Sequence, residues 1–298
     1  MTKPNDWLNQ CAKNITSQHG EDGLIEEILK VIDDKDRWCV EFGAWDGKFL
    51  SNTYNIISNN SYSAVLIEAD HERIQELKQN FAKNEKVIPV NAFVGWGGED
   101  NLDVILQATP VPANFDLLSI DIDGNEYHVW EAMKQYTPKI VIIEFNMTIP
   151  NEAEYIQPRD INIAHGSSPL SITKLANSKG YKLVAATLTN LIFIQGKYFP
   201  LLEIENNSLE QIRLDKRSVT YIFNGMDGTV IIRGSGSVGW WPIKYNEKKM
   251  QVLPKRLRKP YEYHNRFMKF IVTAYIHLFH RNIVRGMIRR ITSAIRPS

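Results

Sequence analysis

Two segments about seventy residues apart constrain the fold most. The first reads Arg37-Trp-Cys-Val-Glu41-Phe-Gly43-Ala-Trp-Asp46-Gly47, the second Phe115-Asp-Leu-Leu-Ser-Ile-Asp121-Ile-Asp123-Gly124-Asn-Glu126-Tyr. Each is an apolar run that stops at a turn carrying glycine and acid. In an open parallel sheet such turns gather at the carboxyl ends of the strands, where ligands bind. Glycine lets the backbone approach a ligand closely, and carboxylates there can meet hydroxyls, a cation or a metal.

Further runs of the same kind lie at 63–69, 86–91 and 139–145. Their continuous Val/Ile/Leu character suits strands buried on both faces. Helical patterns fall at 71–84, 100–108, 125–136 and 171–178. The runs 181–187 and 191–198, joined by Leu-Thr-Asn, read as an antiparallel hairpin closing the sheet edge. The pattern therefore predicts an α/β fold: a mostly parallel, seven-stranded, Rossmann-like sheet with an antiparallel terminal hairpin. That is the order of the class I methyltransferase fold. Residues 1–200 would form this cofactor-binding domain. The segment 201–262, with a hairpin over 219–233 and a glycine-rich loop before Trp240 and Trp241, would cap the acceptor site. The last segment, 263–298, reads as a basic amphipathic helical tail.

The chain has 298 residues, 43% hydrophobic and 23% charged, enough for a substantial core. Cys11 and Cys39 form no metal or disulfide framework. No apolar signal core opens the sequence, and no run of about twenty apolar residues exists to span a bilayer. The expected location is the cytoplasm, with peripheral attachment to the inner face of the membrane left open. The net charge of +1 conceals a split: residues 243–298 hold fourteen Lys/Arg and two Glu, while 1–242 hold 21 basic and 32 acidic side chains. The tail over 264–295 has three readings: packing on the body or a second subunit, lying on an anionic membrane surface, or binding a polyanion. Nucleic acid is the least favoured partner, and a homodimer stays open.

The first strand turn is Glu-x-Gly-x-x-x-Gly, not the Gly-x-Gly-x-x-Gly that admits a pyrophosphate. Ala44, Trp45 and Asp46 make a bulkier, acidic loop, which suits a cationic ligand without phosphates such as S-adenosylmethionine. Glu68 ends the second run, 21 residues past Gly47, where an acid grips ribose hydroxyls.

Taken together, Ser17-Gln18-His-Gly20-Glu21-Asp22, Val40-Glu-Phe-Gly-Ala-Trp-Asp-Gly, Ser51-Asn52-Thr53, Leu66-Ile-Glu68 and Ser119-Ile-Asp-Ile-Asp-Gly124 resemble the FkbM-type S-adenosylmethionine-dependent methyltransferases over roughly 15–198. The resemblance implies O-methylation of sugars or glycan precursors. It implies that Glu41, Gly43, Asp46 and Gly47 hold the methionine end. Glu68 would hold the ribose, and Asn91, Ala92 and Phe93 would flank the adenine. Gln18 and Asn52 would line the same pocket, with a helix-capping role for Ser51 and Asn52 an open alternative.

Methyl transfer to a hydroxyl needs alignment and a base or a Lewis acid. Asp121 and Asp123 follow one strand. Glu144 and Asn146 end the next, at a spacing that puts both on one face. Asp121, Glu144 and Asn146 make an all-oxygen set suited to Mg²⁺, and similar strand-end carboxylates hold a divalent metal in catechol-type and macrolide-sugar O-methyltransferases. The competing readings are a capping turn at Asp123-Gly124-Asn125 and an Arg or Lys partner for Glu144. Asp123 or His165 would remove the proton, with His128 a weaker candidate. Two other functions stay open: a non-catalytic membrane- or polyanion-binding protein on this fold, and a nucleotide-sugar dehydrogenase.

Overall fold

The structure is a computed structural model and describes residues 3–32 and 35–278. They divide into two compact units, one reaching Val219 and the other starting at Thr220.

The first unit is the predicted α/β fold. Strands β1 (Trp38–Phe42), β2 (Ser63–Glu68), β3 (Val87–Asn91), β4 (Leu117–Ile120) and β5 (Ile140–Glu144) are parallel. β6 (Tyr181–Ala186) and β7 (Asn190–Gln195) form the terminal hairpin, and β7 runs antiparallel to β5. The order β3-β2-β1-β4-β5-β7-β6 is that of the class I methyltransferase fold. The strand ends Phe42, Glu68, Asn91, Ile120 and Glu144 therefore share one edge with the start of β7, where Asn190 lies opposite Glu144. The order reverses between β1 and β4, which is where an open α/β sheet leaves its ligand crevice.

Seven helices flank this sheet: α1 (Glu21–Val31), α2 (Tyr54–Asn59), α3 (His71–Asn80), α4 (Leu102–Gln107), α5 (Glu126–Ala132), α6 (Pro169–Ser178) and α7 (Leu209–Ile212). Local signals set several ends. The Asp70 carboxylate accepts Glu72 and Arg73 N–H to start α3, and Ser168 caps α6 ahead of Pro169. Helix α5 stops at Ala132, short of the expected 136. Met133 turns extended, and the Asp103 carboxylate takes the N–H groups of Lys134 and Gln135. Helix α1 was not foreseen. It starts from Gly20 in the left-handed region with no side-chain cap, and its first two residues, Glu21 and Asp22, are buried.

At the opposite, amino end of the sheet, Asp116 is fully buried. It accepts the N–H groups of Asp36 and Arg37, the Lys139 ammonium at 2.8 Å and the Tyr62 hydroxyl at 2.9 Å. Tyr62→Phe removes one of these donors from a buried charge. It should cost about 1–2 kcal/mol in urea unfolding while leaving ligand binding at the far edge unchanged.

The second unit has one hairpin, β8 (Thr220–Asn224) with β9 (Val230–Gly234), and residues 266–278 are helical. The rest of the expected tail helix lies outside the described residues. No helix among the described residues is long and apolar enough to cross a membrane.

Candidate active site

Gly43 and Gly47 both have positive φ, +73° and +75°. A Cβ on Gly43 would lie 1.7 Å from the Asp121 carbonyl oxygen, so the ends of β1 and β4 meet backbone to backbone. A Cβ on Gly47 would strike the Phe81 ring at 2.5 Å. Glu41 is buried and folds the loop that leads from β1 to α2. Its carboxylate accepts Ser51 Oγ at 2.6 Å, Thr53 Oγ1 at 2.7 Å and Asn52 N–H at 2.9 Å. Burial pushes its carboxyl upward, and those hydrogen bonds pull it back. Asn52 donates to Ser119 Oγ at 3.0 Å, while Ser51 Oγ accepts Thr53 and Tyr54 N–H at the start of α2. Asp46 accepts Lys48 and Phe49 N–H. Glu41, Asp46 and Asn52 thus shape the loop through contacts within the protein.

Glu68 closes β2. One of its carboxylate oxygens accepts Trp45 N–H and the other Asp70 N–H, both at 2.8 Å. Ala92 N–H and the Asn91 amide both donate to the Glu68 carbonyl, which ties β3 to β2. Phe93 is exposed. Trp45, absent from the expected site residues, is exposed at this rim with the Arg73 guanidinium 4.2 Å from its ring centre.

Across the β1/β4 reversal lies an acidic cluster. Carboxylate oxygens of Asp121, Asp123 and Glu144 all come within 4.8 Å of one another. Asp121 and Glu144 are half-buried and Asp123 is exposed. Among the described residues no Lys, Arg or His forms an ion pair with any of them, so Glu144 lacks the basic partner considered for it. Burial, then Asp123 and Glu41, push Asp121 up to about 7. Burial, then Asp121, Glu126 and Asp123, hold Glu144 well above the carboxylate range. Two half-buried carboxyls at this spacing cannot both carry charge at low cost, so a proton stays on the pair.

The turn after β4 is strained: Asp123, Gly124 and Asn125 have φ of 57°, 132° and 73° in succession. Neither Asp123 nor Asn125 caps α5 with its side chain. Glu126 does the holding, its buried carboxylate accepting Gly124 N–H at 2.5 Å and Ile122 N–H at 3.3 Å. Burial raises Glu126 to about 7. The sequence reading missed Glu126 as a site residue, although it stands in the quoted motif.

Asn146 makes its hydrogen bonds within its own turn and to the loop carrying His165. Its Oδ1 accepts Thr148 N–H and Thr148 Oγ1, and its Nδ2 donates to the His165 carbonyl at 2.6 Å. Asp123 is the carboxylate that lies with Asp121 and Glu144. The loop carrying His165 does arch over the β4 turn: a Cβ on Gly124 would meet Ala164 Cα at 3.0 Å, and Asn125 Nδ2 donates to the Asp160 and Ile163 carbonyls. His165 is exposed, with Nδ1 2.7 Å from the Tyr155 hydroxyl. His128 is buried, its Nε2 2.8 Å from the Gln157 carbonyl and its Nδ1 facing Arg159 Nε. It serves the packing of this loop.

The segment before α1 borders the same edge. One Asp22 oxygen accepts the N–H groups of Ile15, Thr16 and Ser17, and Thr16 Oγ1 donates to the Ser51 carbonyl. Glu21 accepts Thr187 Oγ1 at 2.6 Å and the amide of Asn190, the residue opposite Glu144. Gln18 stands exposed on this segment.

No family model and no curated protein matches the chain. Solved structures that resemble it include the CurJ carbon methyltransferase, at 10% identity over 59% of this chain and 52% of that one, with a TM-score of 0.40. The N-terminal domain of EvdMO1 with SAH bound matches at 7% over 60% and 82%, TM-score 0.39. The CcbJ methyltransferase from Streptomyces caelestis matches at 8% over 65% and 97%, TM-score 0.39. The chain spans about half the length of the first of these. At such identities the likeness is one of fold.

Proposed function

We propose that the chain is an S-adenosylmethionine-dependent O-methyltransferase acting on a sugar hydroxyl of a surface glycan or its nucleotide- or lipid-linked precursor. The observation that carries this reading is the Asp121–Glu144 pair, without a basic partner among the described residues and beside the backbone of Gly43 at the strand-order reversal. A half-buried carboxyl pair that shares a proton is the kind of group found at catalytic centres.

The residues present fit the cofactor. Gly43 lets the ends of β1 and β4 close against each other below the crevice, the acidic edge suits a sulfonium and an ammonium, and Glu68 has lone pairs left for ribose hydroxyls. When bound, S-adenosylmethionine supplies an electrophilic methyl group. The protein's part is to hold the acceptor hydroxyl at Asp121 and Glu144 and to take its proton, with Asp123 and His165 at the same mouth. A carboxyl near neutrality is a better base than an ordinary one. The three carboxylates would also take Mg²⁺ through oxygen alone, and activity with and without chelator separates the two uses. Antiparallel β7 and the acidic first loop both depart from a dinucleotide-binding dehydrogenase.

Calorimetric titration with S-adenosylhomocysteine beside NAD tests the reading. Micromolar binding, weakened at least about tenfold by Glu68→Ala, is expected, because that carboxylate would lose charged hydrogen bonds to the ribose. Silence from a folded protein, or a preference for NAD, would overturn it.

A further inference from the structure

The second unit hides almost none of its apolar surface. Fifteen of the twenty-five exposed large apolar side chains among the described residues fall within 220–278, and only Val230 and Leu257 there are buried. Large apolar side chains left exposed in such number suit an interaction surface.

Charge and side-chain type select the occupant. The chain from 220 to 298 carries fifteen Lys/Arg against three Asp/Glu. Two copies of so basic a surface repel each other. Nucleic acid would use the charge and the aromatic rings, but it offers nothing to Ile222, Met226 or Ile243, which are exposed beside them. An anionic lipid surface satisfies both features: aliphatic side chains enter the acyl boundary, indoles sit at headgroup level, and lysines meet lipid phosphate.

The backbone is prepared for it. Trp240 and Trp241, 56% and 66% exposed, stand on a loop closed by Tyr245 N–H to Gly236 O, Val238 N–H to Ile243 O and Trp241 N–H to Val238 O, each 2.8 Å. Met226, 98% exposed, stands on the β8–β9 turn, which Gly225 N–H closes onto Thr229 O at 2.8 Å. Entry into an interface therefore strips few backbone groups of partners. Lys244, Lys248 and Lys249 follow the tryptophans and are exposed.

We infer that the second unit docks on an anionic lipid surface, with Met226, Trp240 and Trp241 entering the headgroup region and Lys244, Lys248 and Lys249 facing lipid phosphate. This stands independently of the methyltransferase reading. The test is co-sedimentation of the full chain with phosphatidylcholine vesicles and with phosphatidylcholine–phosphatidylglycerol vesicles. Binding to the anionic vesicles alone, weakened by salt, is expected. Trp240→Ala with Trp241→Ala should lower it about tenfold with the circular dichroism of the wild type. Lys244→Glu, Lys248→Glu and Lys249→Glu together should abolish it, and serve as the readout if the tryptophan variant fails to fold. Equal binding to both vesicles, no binding, variants that bind like wild type, or preference for a single-stranded oligonucleotide would each overturn the inference.

Discussion

Under the proposed methyltransferase reading, Asp121→Asn should abolish most methyl transfer and yet make the protein more stable at pH 8. Loss of a general base costs typically about 10²–10⁴-fold in kcat. The stability gain follows from linkage. Asp121 sits at about 7 in the folded protein against an ordinary value of 3.8, raised by burial and then by Asp123 and Glu41. Below 3.8 both states carry the proton and the shift costs nothing. As pH rises from there to about 7 the unfolded chain binds fewer protons than the folded one, so stability falls, and the full penalty stands above about 7. Asparagine cannot ionise and escapes that penalty. The variant should gain about 2–4 kcal/mol at pH 8 and little at pH 4, measured by calorimetric unfolding at both. In the wild type the same proton must leave before the pair can act, so the rate should rise with pH through about 7. A variant with full activity would remove Asp121 from the chemistry. One with equal gains at both pH values would remove the charge strain.

The legibility of this fold has a physical pattern. Strands β1, β2, β4 and β5 stand out in the sequence because parallel strands covered on both faces need unbroken apolar runs, and their residues are almost all buried. Asp121, Asp123 and Glu144 stand out in the sequence for the same reason, since each follows the point where an apolar run stops. The orientation of Asn146 is hard to read because alternation holds only inside a strand. β5 ends at Glu144, and two residues further on the chain is already in the turn that binds Thr148. Glu21 and Glu126 were illegible as buried groups because an acid in the first turn of a helix reads as an ordinary solvent-facing residue. What buries Glu21 is Thr187 and Asn190, more than 160 residues away. The start of α1 was lost with it, since that helix relies on these distant partners and has no capping side chain of its own.

Gly43→Ala should cost about 3–5 kcal/mol, far more than a methyl group usually costs, and should weaken S-adenosylhomocysteine binding about a hundredfold. Two penalties add. The residue sits at φ +73°, which alanine adopts only with strain. The new Cβ would lie 1.7 Å from the Asp121 carbonyl oxygen, 2.9 Å from its carbonyl carbon and 3.2 Å from Ile122 Cγ2. The first two are backbone atoms, so no rotamer change relieves them. The strands themselves must part, and they are paired directly below this point, Phe42 against Ile120. Parting them moves the base of the Glu41-bound loop and the acid pair together, so cofactor binding and the acceptor site are disturbed by one atom. Gly97→Ala is the control: its backbone is extended and its Cβ would meet nothing within 4 Å, so it should stay within about 0.5 kcal/mol of the wild type. Urea unfolding of the three proteins, with calorimetric titration of each, reads both effects. If Gly43→Ala matched the control in stability and in S-adenosylhomocysteine affinity, the close approach of β1 to β4 would not be what shapes the crevice, and the cofactor would have to be sought elsewhere on the sheet.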